Sequence, residues 1–324
     1  MIVAVGAWLV FHSPAPAPQK LHTGLTPTKQ WSARASGTQN DLGSIFATSD
    51  GKRLWVSGEV GTLLSSDDGG QHWEPRESGT QNDLGSIFGT SDGKRLWIAG
   101  ANGTLLSSDD GGQRWHQGGS GTNEWLYSIF GTSNGKRLWV GGARGTILTS
   151  TDGQHWHARD SGTNENLESI FGTSDGKRLW AAAGLRTILE SDDGGERWKR
   201  RESGTQNYLS SIFGTSDGKR LWVVGAKGTI LESDDGGTHW TPRDSGTQND
   251  LRSIFRTGDG KRVWAVGDEG TILESEDDGE HWTARDSGTR NRLFEIFGTS
   301  DGTRLWVVGD KGTILETAVP GPTG

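Results

Sequence analysis

SIFGTSDGKRLWVVGAKGTILESDDGGTHWTPRDSGTQNDLR, residues 211–252, is one copy of a unit that fills most of the chain. Its opening triplet, Ser-Ile-Phe, recurs at 44, 86, 128, 169, 211 and 253, and Glu295-Ile296-Phe297 stands in for it once more. The spacings are 42, 42, 41, 42, 42 and 42 residues. A period of this length denotes a repeat architecture, in which each unit buries its apolar face only against its neighbours.

Within the unit, residues 209–215 (LSSIFGT) form a short apolar run suited to an inner strand. Residues 216–219 (SDGK) are turn chemistry, with Asp and Gly supplying the backbone angles a reversal needs. Residues 220–224 (RLWVV) and 229–233 (TILES) read as a second and third strand joined by the tight connection GAKG. After a second turn, DDGGT, residues 239–244 (HWTPRD) make an outer strand, whose Pro242 is tolerable on an edge. Four short strands in about 42 residues match one propeller blade, and the several glycine breaks argue against a helical repeat.

The turn before the outer strand carries a specific motif, S-x-D-x-G-x-x-W, at 66–73, 108–115, 191–198, 233–240 and 275–282. The third unit has a version one residue shorter at 150–156, which accounts for the single 41-residue spacing. The carboxylates of Asp68, Asp110, Asp152, Asp193, Asp235 and Asp277 are placed to accept amide protons of their own turns, so these Asp boxes are read as structural staples. The last unit stops before any Asp box, whereas residues 30–34 (QWSAR) align with the outer strand of the first full unit, residues 72–76 (HWEPR). The N-terminal segment is therefore expected to supply the fourth strand of the last blade. The result is an all-β, seven-bladed propeller of four-stranded antiparallel blades, closed by both chain ends.

Composition agrees. Only 31% of the 324 residues are hydrophobic, while Gly contributes 52 and Trp 16. Fourteen of those Trp occupy two fixed positions of the repeat and are expected in the core. The formal net charge of −8 argues against a nucleic-acid partner. With no cysteine there is no disulfide, thiolate metal site or cysteine nucleophile. Residues 1–11 (MIVAVGAWLVF) are apolar but shorter than the roughly 20 residues a spanning helix takes. Their length fits a secretory leader, although no basic stretch precedes them, and a proline-rich spacer (HSPAPAP) follows. The expected organisation is leader and linker over 1–29, one propeller domain over 30–318 and a tail over 319–324, located outside the cytoplasm.

Residues 209–240 closely resemble the photosystem II stability/assembly factor-like repeat. The shared elements are the Val-Gly-x-x-Gly-Thr-Ile-Leu string over 224–231 and the Asp box that follows. The resemblance covers about residues 31–317. It implies a seven-bladed propeller, usually outside the cytoplasm, of a kind that assists photosystem assembly by binding a reaction-centre precursor without catalysis.

Because the scaffold positions barely change from unit to unit, the places that differ are informative. They fall in the segment before the inner strand and in the connection between strands two and three, which chain direction puts on one face. The unusual residues there are largely aromatic or charged: Glu124, Trp125 and Tyr127, Arg144, Glu168, Leu185 with Arg186, Tyr208, Lys227, Arg252, Arg292 and Phe294. Aromatics and Arg are the types enriched at binding hot spots, so this face is expected to take a protein partner, an assembling membrane protein among the candidates. The chain itself is expected to be a monomer. The fourth unit replaces Gly-x-x-Gly by Ala183-Gly184-Leu185-Arg186, so its connection must be reshaped.

Asp boxes also occur in sialidases, which makes a glycan ligand or a glycosidase the alternative. The only acidic partners in view for the two tyrosines are Glu168 and Glu124, a pair that would support glycoside hydrolysis if correctly spaced. The Phe/Tyr-Arg-Ile-Pro motif of sialidases is absent. His72, His155, His239 and His281 share one repeat position and read as a solvated rim; no metal and no cofactor is expected.

Overall fold

The computed structural model describes residues 31–258, 260, 262–299 and 301–318; the expected leader, linker and tail lie outside the described residues. Seven four-stranded antiparallel sheets are arranged in a ring. In the fifth, the strands are Leu209–Gly214, Leu221–Gly225, Thr229–Ser233 and Thr241–Arg243, within two residues of the segments read from the sequence. In the seventh, Leu293–Gly298, Arg304–Gly309 and Thr313–Ala318 are completed by the N-terminal Ser32–Arg34. Ala33 pairs with Leu315 there, and the buried Trp31 meets Trp264 of the sixth blade edge-on at 5.9 Å. Closure by the two chain ends completes the seventh sheet, and the edges left at the rim are outer strands of only two to four residues.

Blades hold together by packing face to face rather than by sharing strands. Each apolar cluster draws on two neighbours: Trp180, Ala182 and Ile188 of the fourth blade, for instance, pack on Leu209, Ile212 and Val223 of the fifth. The second-strand tryptophans are buried at these interfaces. The arginines of five Gly-Lys-Arg turns, and Arg304 of the seventh blade, lie over such a ring, as Arg53 does at 4.7 Å from Trp55, and reach the Asp-box turn of the next blade, where Arg53 Nη2 donates to the Gly111 carbonyl at 2.8 Å. The ring of basic turns is thus a blade-to-blade staple, with the charge spread over the aromatic face.

The Asp boxes work as their spacing predicts. In the first, Ser66 Oγ donates to Asp68 Oδ1 at 2.8 Å and accepts the Gly70 amide at 2.8 Å, while the amides of Gln71 and His72 donate to Asp68 Oδ1 at 3.0 Å. The shared-position histidines have a local partner: His72 Nδ1 stands 2.6 Å from Asp68 Oδ2, and His155, His239 and His281 repeat the contact. The amide and ring of His72 together hold the Asp68 carboxyl well below its ordinary range. Exposed Asp277, Glu280 and His281 bring ligand-type atoms within 4.8 Å of one another, but Asp277 already serves its own turn.

All seven inner strands carry a register irregularity at one place, between Leu209 and Ser211 in the fifth blade and at the equivalent positions elsewhere. A bulge inserts one residue and re-aims its side chain. Here it turns both the residue before each Ser-Ile-Phe and the serine itself toward the axis, so that Tyr127 and Ser128, or Glu168 and Ser169, line the same channel.

Candidate binding face and axial channel

The two variable segments do meet on one face. The amide of Gly61 in a strand 2–3 connection donates to the Asn82 carbonyl before the next inner strand, and the Val60 amide donates to Asp83 Oδ1 at 2.8 Å. The second variable residue of this connection has a left-handed backbone in six blades, with Val60, Arg144 and Lys227 at φ 53–56°. The glycine after it is required: a Cβ on Gly61 would lie 2.0 Å from the Thr80 carbonyl oxygen. In the fourth blade Arg186 takes the place of that glycine at φ 56°; Leu185 is 61% exposed, where Val60 at the same position of the first blade is 53% exposed, and Leu185 is bridged to Tyr208. Arg186 itself donates from Nη1 to Gln206 at 2.7 Å.

Four of the singled-out residues join into an arc across blades three to five. Trp125, 38% exposed, stacks on Tyr127 with centroids 5.8 Å apart and planes at 20°. Tyr127 and Glu168 both line the channel mouth, and the Tyr208 hydroxyl donates to Glu168 Oε1. The Tyr208 ring lies over Gly184, where a Cβ would meet it at 3.4 Å. Burial raises the Glu168 carboxyl above its ordinary value. Burial, and then the hydrogen bond to Glu168, raise the Tyr208 phenol as well. Arg144 pairs with Glu124 across 3.4 Å at the outer edge of this arc.

A second group stands opposite. Arg252 donates to Asp268, with Nη2 at 3.0 Å from Oδ2, and its guanidinium lies 5.8 Å from the Phe294 ring. Arg292 covers the same ring at 5.3 Å and pairs with Asp310 at 2.8 Å and Asp41 at 3.7 Å. The principal cluster in blades three to five therefore forms as a unit, Arg252, Arg292 and Phe294 form another, and Lys227 and Arg186 stand apart from both on their own connections.

One axial residue has a role that the repeat pattern left unassigned. Below the mouth, the channel serines accept the isoleucine amide of the following blade: Ser44 from Ile87 at 3.0 Å, Ser128 from Ile170 at 3.1 Å, Ser253 from Ile296 at 3.3 Å. Glu295 replaces serine in this belt and accepts the Ile45 amide at 2.6 Å. Enclosure in the narrow channel, only partly offset by the Ser44 hydroxyl and that amide, pushes its carboxyl up to about 7. The signal was present in the sequence as the one triplet that begins with Glu.

Chemically, the Tyr208–Glu168 pair is the one arrangement on this face with the look of a nucleophile and its base. Burial makes this phenol harder to ionise and this carboxyl less acidic. Unrepeated aromatic and charged groups thus surround one mouth of the channel of a repeated Asp-box scaffold. The chain belongs to the family described as photosynthesis system II assembly factor YCF48, whose sequence model matches residues 23–119 and 204–284, more than half of its length. A solved structure described as YCF48 bound to D1 peptide superposes with a TM-score of 0.75 at 21% identity, covering 92% of this chain and 100% of that one. YCF48 from Cyanidioschyzon merolae gives 0.74 at 20% identity over 89% and 99%. At such identities the likeness speaks for the fold. No curated protein matches the sequence.

Proposed function

We propose that this propeller is a non-catalytic assembly or binding module that recognises a protein partner through the face carrying the strand 2–3 connections and the segments before the inner strands. The observation that carries this reading is the arc of Trp125, Tyr127, Glu168 and Tyr208, in which exposed Trp125 stacks on half-buried Tyr127 beside the reshaped fourth-blade connection. Large aromatics already held in place lose little entropy on binding, which suits them to anchor a partner. A YCF48 structure described as bound to a D1 peptide lends support, since it joins this fold to a polypeptide ligand. The apolar leader is the reason to place the protein outside the cytoplasm.

The test is affinity capture from the native host with wild-type protein and a Trp125→Ala/Tyr127→Ala double variant whose circular dichroism and melting are unchanged. The expected result is a discrete protein retained by the wild type and at least tenfold depleted from the variant. Equal retention by both would refute the choice of face. Turnover of chromogenic glycosides that disappears in Glu168→Gln or Tyr208→Phe would replace the reading with a hydrolase.

A further inference from the structure

The other end of the channel is built differently. There the phenylalanine of each inner strand meets its two neighbours, from Phe46–Phe88 round to Phe297–Phe46, in seven consecutive contacts with centroids 5.1–6.2 Å apart. In five blades the residue after the Phe is glycine, which helps the rings fit, while Ala47 and Arg256 stand there in the first and sixth. A Cβ on Gly131 would stand 2.6 Å from the Phe88 ring, and one on Gly89 2.5 Å from Phe46, so the glycine makes room for the ring of the preceding blade. Four of the seven rings, Phe88, Phe130, Phe213 and Phe297, keep surface open to the axis. The collar stands at the head of a funnel of about 670 Å³ whose rim is formed mainly by Ser and Thr of the Gly-Lys-Arg turns, among them Ser49, Ser91 and Ser133, with Asp217 and Arg256 also lining it.

We propose that this funnel is a binding site for the unbranched alkyl tail of an amphiphile, with its polar head left among the rim hydroxyls. The site is separate from the partner-binding face and does not depend on that reading. Volume and lining fit the pattern of small-ligand sites, mostly apolar walls with a few polar groups at one end. A heptagon with the observed ring spacing is about 13 Å across between centroids, and the van der Waals reach of tilted rings leaves a lumen of roughly 6–7 Å. One extended hydrocarbon chain passes such an opening in single file. An opening lined by aromatic faces with no hydrogen-bonding group holds water poorly.

The length of the tail is set by the polar belt beyond the collar. Ser44 stands two residues from Phe46 and Ser49 three residues on the other side, so the apolar path is about 14–17 Å at ~3.3 Å per residue. At about 1.3 Å per methylene, roughly eleven to thirteen carbons fill it and the next ones meet serines and Glu295.

The experiment titrates the full chain with straight-chain alkanoates of six to fourteen carbons, each below its micellar concentration, by isothermal calorimetry. One site per chain is expected, tightening roughly fourfold per methylene up to about eleven to thirteen carbons and flat beyond. Decyl maltoside and decylphosphocholine are expected to bind as decanoate does, because the tail is what is recognised. A decanoate carrying a diazirine near its tail end is expected to label the inner-strand peptides that contain Phe88, Phe130 or Phe213, which requires no variant to fold. Phe88→Ser with Phe130→Ser is expected to weaken decanoate at least tenfold. Non-saturable uptake, affinity that follows the head group rather than the chain length, or label spread over the outer strands or the opposite face would each overturn the proposal.

Discussion

Replacing Glu295 by serine restores the residue that the other six blades carry in the channel belt, and the consequence depends on pH. In the unfolded chain this carboxyl titrates near 4.5; in the channel, enclosure lifts it to about 7. Below pH 4.5 the group is protonated in both states and costs nothing. Between 4.5 and 7 the unfolded chain gives up its proton while the folded one retains it, so wild-type stability falls as pH rises and levels off above 7. The shift corresponds to at most about 3 kcal/mol at pH 8. Serine keeps an acceptor for the Ile45 amide, since its counterparts accept the equivalent amides at 3.0–3.3 Å. Urea denaturation followed by tryptophan fluorescence, at half-unit steps from pH 4.5 to 8.5, measures both proteins. The variant is expected to match the wild type at pH 4.5 and exceed it increasingly up to about pH 7.5. A difference that stays constant across this range, or a wild type that is the more stable at pH 8, would refute the reasoning.

Two other perturbations test the scaffold. Trp31→Ala removes the buried ring with which the N-terminal strand packs on Trp264, and is expected to cost about 3–5 kcal/mol in urea denaturation; a loss under 1 kcal/mol would mean that closure does not rest on this contact. Asp235 is held down to about 2, chiefly by the His239 amide, so its stabilisation is present above its ordinary value near 3.8 and lost as pH falls toward 2. Asp235→Ala is accordingly expected to lower the urea midpoint at pH 7 and to converge with the wild type by pH 2, while a deficit unchanged by acid would contradict the staple reading.

The fold was legible because every determinant of a blade is local and is written six or seven times. The Asp-box turn, the Gly-Lys-Arg turn and the glycine of the strand 2–3 connection each act within a few residues, so a periodic string reveals them without coordinates. Ring closure was legible for a related reason, since residues 30–34 match an outer strand that the last unit lacks. The binding face was legible only as a set of deviations. That Trp125, Tyr127, Glu168 and Tyr208 share one face followed from strand direction, but the pairing of Tyr208 with Glu168 depends on blade geometry across 40 residues.

What the chain's own letters determined is therefore the number of blades, their internal order and the meeting of the two ends, because backbone turns and strand periodicity are short-range. Tertiary structure alone decided which side chains face the axis. A strict two-residue alternation cannot send both Tyr127 and Ser128 into the channel; the bulge in each inner strand does, and it places Glu295 in an enclosed belt where water is scarce. The phenylalanine collar has the same origin: one Phe per unit is unremarkable in sequence, and only closure of the ring brings seven of them edge to edge around an opening.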